Sequence, residues 1–265
     1  MEKKRLDFVL LERGLVESRS QGQRLVMAGQ VRVAGQVVLK PATPVDITSA
    51  ITVESGPPYV SRGGEKLAGA LGSFRIEIPG KVCADVGAST GGFTDCLLQN
   101  GAAKVYAIDV GYGILHWKLR NDPRVILMER TNARFVESLP EPVTLITIDA
   151  SFISLRILLP VVKNWFPPDG GDVIALIKPQ FEAGREAASH GEGVIRDPAV
   201  HRQVLNEVLN SALREGFSLA GLTTSALKGP KGNVEFLAWL RYPADRNPAK
   251  ANSQPLERLI AQVLV

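Results

Sequence analysis

The run Asp85-Val-Gly-Ala-Ser-Thr-Gly-Gly-Phe-Thr-Asp95 joins an apolar strand, 81–86, to a helix through Gly87, Gly91 and Gly92. Glycines let backbone approach a ligand closely, and a helix N-terminus offers unpaired N–H groups. A second strand, Lys104-Val-Tyr-Ala-Ile108, ends in Asp109, an acid placed to hold a ribose diol. The glycine order departs from the dinucleotide fingerprint, because Ser89 stands where a pyrophosphate needs bare backbone. Asp85 at the strand end would also repel a pyrophosphate. A cationic ligand with an amino-acid tail tolerates that acid, and S-adenosylmethionine fits. Asp85, Gly87, Ser89, Gly91, Gly92 and Phe93 are then expected on its methionine side, Asp109 on its ribose and Asn132 on its adenine. An ordinary glycine-rich turn would explain the loop alone but leaves Asp109 unexplained.

Four further charged residues fall at element ends. Lys66 precedes a helix, Asp149 closes the apolar strand 143–148, Lys178 closes 173–177, and Glu235 interrupts 232–239. A charge ending a buried strand is costly unless it is paired or functional. Taken singly, each is as consistent with a surface ion pair as with catalysis. Cys83 and Cys96, the two cysteines of the chain, read as core residues; they imply no disulfide framework and suit a reducing compartment. His116, His190 and His201 are scattered without metal-ligand spacing, so no metal is expected.

The elements that must carry these residues alternate. Strands are predicted to begin near Lys81, Lys104, Val125, Val143 and Val173, with later ones over 219–223 and 234–240. Helices are predicted over 66–71, 92–100, 155–162 and 199–215. Such alternation argues for a doubly wound α/β sheet, its last two strands forming a hairpin. Residues 57–65, Pro-Pro-Tyr-Val-Ser-Arg-Gly-Gly-Glu, are linker-like, which sets 66–243 apart as the catalytic domain. Residues 244–265 form an extension, polar and then amphipathic.

Residues 1–56 have a different texture: two short helices, ended at Gly14 and Gly29, then a hairpin 31–39 and a strand 47–53. Ser18 is placed to cap the second helix. The segment resembles the S4 RNA-binding domain through Arg5-Leu6-Asp7, Gly14-Leu15, Ser18-Arg19, Arg24-Leu25, Gly29-Gln-Val31, Val33, Gly35 and Lys40-Pro41. It departs at Gly22, where Ala is common, and at Ala34, where Asn usually precedes the hairpin glycine. The resemblance makes Arg5, Arg19, Arg24 and Lys40 phosphate contacts; without it, a solvated helix face explains them better. Arg62 is a further RNA candidate.

Lys66, Asp149, Lys178 and Glu235 match in order the Lys-Asp-Lys-Glu tetrad of FtsJ-type RNA ribose 2′-O-methyltransferases. Ser61-Arg-Gly-Gly-Glu-Lys66, Thr147-Ile-Asp-Ala-Ser-Phe152 and Lys178-Pro-Gln-Phe-Glu182, with the S4 segment and the glycine loop, are closer still to one group. From end to end the chain resembles the TlyA family, often labelled hemolysin A. Glu65 stands where that family often has Leu or His. The resemblance implies a Rossmann-like fold behind an S4 domain, and 2′-O-methylation of cytidine in ribosomal RNA or ribosomal subunits. One branch of the family modifies both subunits and another only the large one.

A ribose hydroxyl is a poor nucleophile, so a base must take its proton as the oxygen attacks the methyl group. A free lysine titrates near ~10.4, and a second cation with partial burial would free its lone pair. Lys178 is therefore expected as that base or as the group steering the hydroxyl, with Asp149 orienting it and Lys66 and Glu235 holding the pair. Base-amino methylation favours an Asn/Asp-Pro-Pro-aromatic loop, and carbon-5 methylation needs a nearby cysteine; neither is found after Ile148.

With 45% hydrophobic residues over 265 positions the chain is globular. Its 31 Lys plus Arg against 27 Asp plus Glu permit a nucleic-acid partner without requiring one. The start of the chain has no apolar stretch after its charges, and no apolar run reaches membrane-spanning length, so a cytoplasmic protein is expected. Two other readings stand beside the enzyme: a membrane-active cytolysin, as the family label suggests, and a catalytically silent RNA-binding factor.

Overall fold

The computed structural model describes residues 2–54, 56–184, 194–229, 231–244 and 255–264. The chain divides into two compact units, Met1–Pro58 and Tyr59–Val265. His190 lies outside the described residues, as does the polar part of the tail.

In the first unit the elements are β1 (Lys3–Arg5), α1 (Leu6–Glu12), α2 (Arg19–Met27), β2 (Val31–Val33), β3 (Gln36–Val37), β4 (Pro44–Asp46) and β5 (Ile51–Val53). Leu6, Val9, Leu10, Val16, Val26, Val31 and Val45 form its core. Ser18 caps α2, its side chain accepting the Gln21 N–H at 3.2 Å. The β2–β3 hairpin turns through Ala34 and Gly35 at φ 48° and 80°, so Ala34 holds a left-handed conformation that costs a non-glycine residue. Here β1 and β4 pair antiparallel, an addition to the sequence reading. The strand expected over 47–53 shortens to β5 because Asp46 Oδ1 accepts both the N–H (2.9 Å) and the Oγ–H (2.6 Å) of Thr48, folding those residues into a turn.

The second unit runs α3 (Arg62–Phe74), β6 (Val82–Val86), α4 (Gly92–Gln99), β7 (Lys104–Ile108), α5 (Trp117–Arg120), β8 (Val125–Met128), β9 (Leu145–Ile148), α6 (Leu155–Val162), β10 (Gly171–Ile177), α7 (Pro179–Glu182), α8 (Pro198–Arg214), β11 (Ser218–Thr224), β12 (Phe236–Tyr242) and α9 (Leu256–Val263). Its sheet has the order β11-β12-β10-β9-β6-β7-β8. Strands β6 to β10 are parallel, and β12 runs antiparallel between β10 and β11. Parallel strands are covered on both faces. Ala84, Val86, Ile146 and Val173 meet α6, α8 and α9 on one side, while Cys83, Leu145 and Ile174 meet α3 and α4 on the other. Leu259 and Ile260 of α9 are buried, so the end of the expected extension belongs to the core.

One boundary moves. Residues 62–65, read as linker, are the first turn of α3. Gly64 looks like a loop residue, but its role is close packing. A Cβ on Gly64 would lie 2.2 Å from the Tyr59 side chain, and one on Gly92 would lie 2.3 Å from Ser61 Oγ.

Candidate active site

The strand C-termini gather the residues picked out for chemistry. Gly87 leaves β6 at φ 82°, and a Cβ there would sit 2.7 Å from the Asp149 carbonyl oxygen. Only a bare backbone lets the ends of β6 and β9 approach so closely. Ser89, two residues on, also holds a positive φ of 50°, and its N–H donates to Asp109 Oδ2 at 2.8 Å. Asp109 Oδ1 takes the Gly111 N–H at 2.7 Å. These bonds fix the carboxylate at the end of β7 and leave each oxygen a lone pair.

A cavity of about 250 Å³ opens there. Ser89, Asp109, Thr131, Asn132, Asp149 and Ser151 are its polar lining; Val110, Ile114 and Leu158 supply apolar walls. An acid for a diol beside an apolar slot for a flat base suits the nucleoside half of S-adenosylmethionine. Asn132 Oδ1 accepts the Arg134 N–H at 3.2 Å, fixing the side chain. A second cavity of about 310 Å³ is lined by Ser61, Arg62, Lys66, Thr90 and Phe93. Gly87, Ser89 and Asp149 line both cavities.

Two expected cofactor residues lie elsewhere. Asp85 lines neither cavity: its carboxyl is sealed beneath the loop, accepting Thr94 Oγ–H at 2.7 Å and Thr147 Oγ–H at 3.0 Å. Burial pushes its pKa up to about 7, and the charge of Asp149 adds to the rise, while the two threonines oppose it. It therefore ties β6 to α4 and β9. Gly91 caps α4 at φ 98°, packed against Leu119 and Leu115, and also lines neither cavity.

The four charged residues form two ion pairs. Lys66 Nζ lies 2.6 Å from Glu235 Oε2, both side chains buried, and Gln180 Nε2 donates to the other oxygen of Glu235 at 3.1 Å. Lys178 Nζ lies 2.7 Å from Asp149 Oδ1, but off the hydrogen-bonding direction, so this contact is ionic. Its well-formed hydrogen bond goes to Ser151 Oγ at 3.0 Å, with a longer contact of 3.4 Å to the Asp149 carbonyl. Lys178 lines neither cavity; its neighbours Asp149 and Ser151 do. Glu182, at the end of α7, accepts Ser154 Oγ–H at 2.5 Å and the Leu155 N–H at 2.7 Å, so α7 is tied to the start of α6.

Sequence reasoning passed over three residues here. Ser151 and Gln180 sit inside motifs already noted, but only the fold shows what they touch. Phe152 holds φ 65° and is 91% exposed, its ring centroid 4.9 Å from that of Phe181. Burial pushes Cys83 up to about 12 and Cys96 up to about 11, so neither is a nucleophile. Among the described residues no group of His, Cys, Asp and Glu could hold a metal ion.

The basic candidates of the first unit are not equivalent. Asp7, fully buried, accepts Arg5 Nε and Nη2 at 3.0 Å, Arg19 Nε at 2.9 Å and Gln23 Nε2 at 2.8 Å. The Arg5 guanidinium, followed by Gln23 and Arg19, holds its carboxyl far below the usual carboxylate range. Arg24 and Lys40 are exposed and, among the described residues, form no ion pair. Arg62, in the second unit, donates to the Lys228 carbonyl at 2.9 Å.

Comparison with known proteins agrees with this geometry. The S4 domain matches residues 4–51, and the family described as FtsJ-like methyltransferase matches residues 59–242. A Bacillus subtilis protein provisionally named as an rRNA methyltransferase, YqxC, is 47% identical over 92% of this chain and 88% of its own length. The 16S/23S rRNA (cytidine-2′-O)-methyltransferase TlyA of Mycobacterium tuberculosis is 46% identical over 97% of each chain. A solved structure from Streptococcus thermophilus, provisionally named a hemolysin, superposes with a TM-score of 0.71 at 42% identity, covering 99% of this chain and 96% of that one. The chain belongs to the FtsJ-like methyltransferase family, with an S4 domain at its N-terminus, in the TlyA group.

Proposed function

We propose that the chain methylates the 2′-hydroxyl of a cytidine in ribosomal RNA, using S-adenosylmethionine as donor. The observation that carries this reading is the meeting of the two ion pairs beside Gly87 and Asp149, which line both cavities. When bound, S-adenosylmethionine supplies an electrophilic methyl carbon whose bond to sulfur breaks with both electrons remaining on sulfur. Asp109 and Asn132 would hold its nucleoside, with Gly87, Ser89 and Phe93 on the methionine side.

Lys178 acts in its amine form. It steers the acceptor hydroxyl and takes its proton, becoming an ammonium as the oxygen gains the methyl group. Asp149 neutralises that ammonium at 2.7 Å. Lys66, held by Glu235, places a fixed positive charge in the second cavity, where it stabilises the anionic character of the attacking oxygen. Phe152 offers a face to the acceptor base. Residues 1–56 form the module that grips structured RNA, with Arg5, Arg19, Arg24 and Lys40 on phosphates; Arg62 adds a contact beside the second cavity. An rRNA acceptor implies work in the cytoplasm. Hemolysin names occur among its relatives, yet no helix of the described residues is long and apolar enough to cross a membrane.

The test is incorporation of labelled methyl from S-adenosylmethionine into naked rRNA and into assembled subunits. Lys178→Ala is expected to abolish transfer while calorimetric cofactor affinity stays within about threefold, the donor site being formed by other residues. A fully active Lys178→Ala protein would overturn the assignment, and a parent that methylates neither substrate would favour a silent RNA-binding factor.

A further inference from the structure

We propose that Ser151 is a positioning residue for methyl transfer, aiming the Lys178 amine at the acceptor hydroxyl. The inference rests on the reading that Lys178 takes the acceptor proton.

The argument starts from what each neighbour of Lys178 Nζ can do. The Asp149 carboxylate lies 2.7 Å from the nitrogen, but off the hydrogen-bonding direction, so it fixes where the nitrogen sits and not how its N–H bonds and lone pair point. The Asp149 carbonyl, at 3.4 Å, is too long to orient it strongly. The Phe181 ring centroid lies 5.7 Å away, and a ring face exerts a diffuse pull. Ser151 Oγ, at 3.0 Å, remains as the one short directional partner among the described residues. With one N–H committed to Ser151 and the other turned to the Asp149 carbonyl, the lone pair of the amine is left facing the incoming hydroxyl.

The backbone carrying Ser151 is held in place from both sides. Asp149 N donates to the Val86 carbonyl at 2.9 Å, and Glu182 grips Ser154 and Leu155 through its carboxylate. Between those anchors Phe152 keeps its positive φ of 65°, a conformation that persists only where the surroundings determine it. Glu182 lies one helical turn after Lys178, its N–H donating to the Lys178 carbonyl at 3.2 Å. The segment bearing the hydroxyl and the segment bearing the amine are thus pinned to each other.

Ser151 is exposed, so its removal leaves the packing intact. Ser151→Ala, Ser151→Thr and Lys178→Ala are compared with the parent for kcat, for KM toward the rRNA substrate, and for cofactor affinity by calorimetry. In Ser151→Ala, kcat is expected to fall about tenfold, part of the 10²–10⁴ that a positioned proton acceptor contributes, with KM and cofactor affinity unchanged. Ser151→Thr, which keeps the oxygen, is expected to restore kcat to within about threefold. Unchanged kcat in Ser151→Ala, with Lys178→Ala inactive, overturns this inference alone. Weakened cofactor affinity at unchanged kcat also overturns it, making Ser151 a cofactor contact, since it lines the nucleoside cavity. An active Lys178→Ala protein removes the reading beneath it.

Discussion

Two fully buried aspartates show how far surroundings decide what a carboxyl group does. Asp7 accepts from two arginines and a glutamine and stays ionised well into acid; Asp85 has two threonine hydroxyls and, among the described residues, no cation, and titrates at about 7. The native state therefore keeps a proton on Asp85 that the unfolded chain releases near ~3.9. Wherever the native state binds the extra proton, stability falls as pH rises, so this residue weakens the fold progressively between about pH 4 and 7 and by a constant amount above. Asp85→Asn removes the charge and keeps an amide of similar shape. Denaturant melts should find it level with the parent near pH 4 and more stable by on the order of 2–4 kcal/mol at pH 8; a gap that does not widen with pH would show that Asp85 carries no such burden. Residue type and spacing led correctly to an acid at each strand end. They did not distinguish Asp109, in a cavity, from Asp85, sealed beneath the loop, because that difference depends on Thr94 and Thr147 arriving from other elements.

Among the elements, α2 contains a defect that the chain tolerates. Gly22 lies in its first half, and an added Cβ would meet Leu10 and Val16 at 3.5 Å, ordinary contact distances. Gly22→Ala should stabilise the first unit by up to ~1 kcal/mol, through helix propensity and a less mobile unfolded chain. A melt in which the substitution lowers stability would mean that the site is tighter than those distances indicate. The longer helices and the strands of the second unit were legible because each carries a strong period or a continuous apolar run, as in Val173 to Ile177 and Leu155 to Val162, whereas the four-residue helices Trp117–Arg120 and Pro179–Glu182 were not. Short pieces were harder. The pairing of β1 with β4 depends on a partner 39 to 43 residues away, and three residues of Lys and Arg give no alternation to read. Gly64 misled in another way: glycine signals a loop and a close approach alike, and only the ring of Tyr59 decides which.

At the scale of the molecule, a unit with an S4 domain and a unit with the methyl-transfer site occur in one chain. The basic side chains of the first unit should divide by how they are held. Arg24→Ala and Lys40→Ala, at exposed positions, should each reduce the slope of log affinity against log salt by about 0.7–0.9 for rRNA without altering stability. Arg19→Ala should do so and also destabilise the unit, because Asp7 would lose a cation while staying buried. Filter binding over a salt series, beside melts of the same variants, separates the two patterns; equal effects on stability would sink the distinction. The tetrad has a further consequence in time. Lys66 and Glu235 are 169 residues apart, and Glu235 is delivered by the approach to β12, the strand inserted between β10 and β11. A chain still being synthesised therefore has its glycine loop long before it can assemble the Lys66–Glu235 pair. Competence to methylate should emerge late and abruptly, when β12 slots into the sheet, so a nascent or truncated chain ending before Glu235 would not act on the ribosome that makes it.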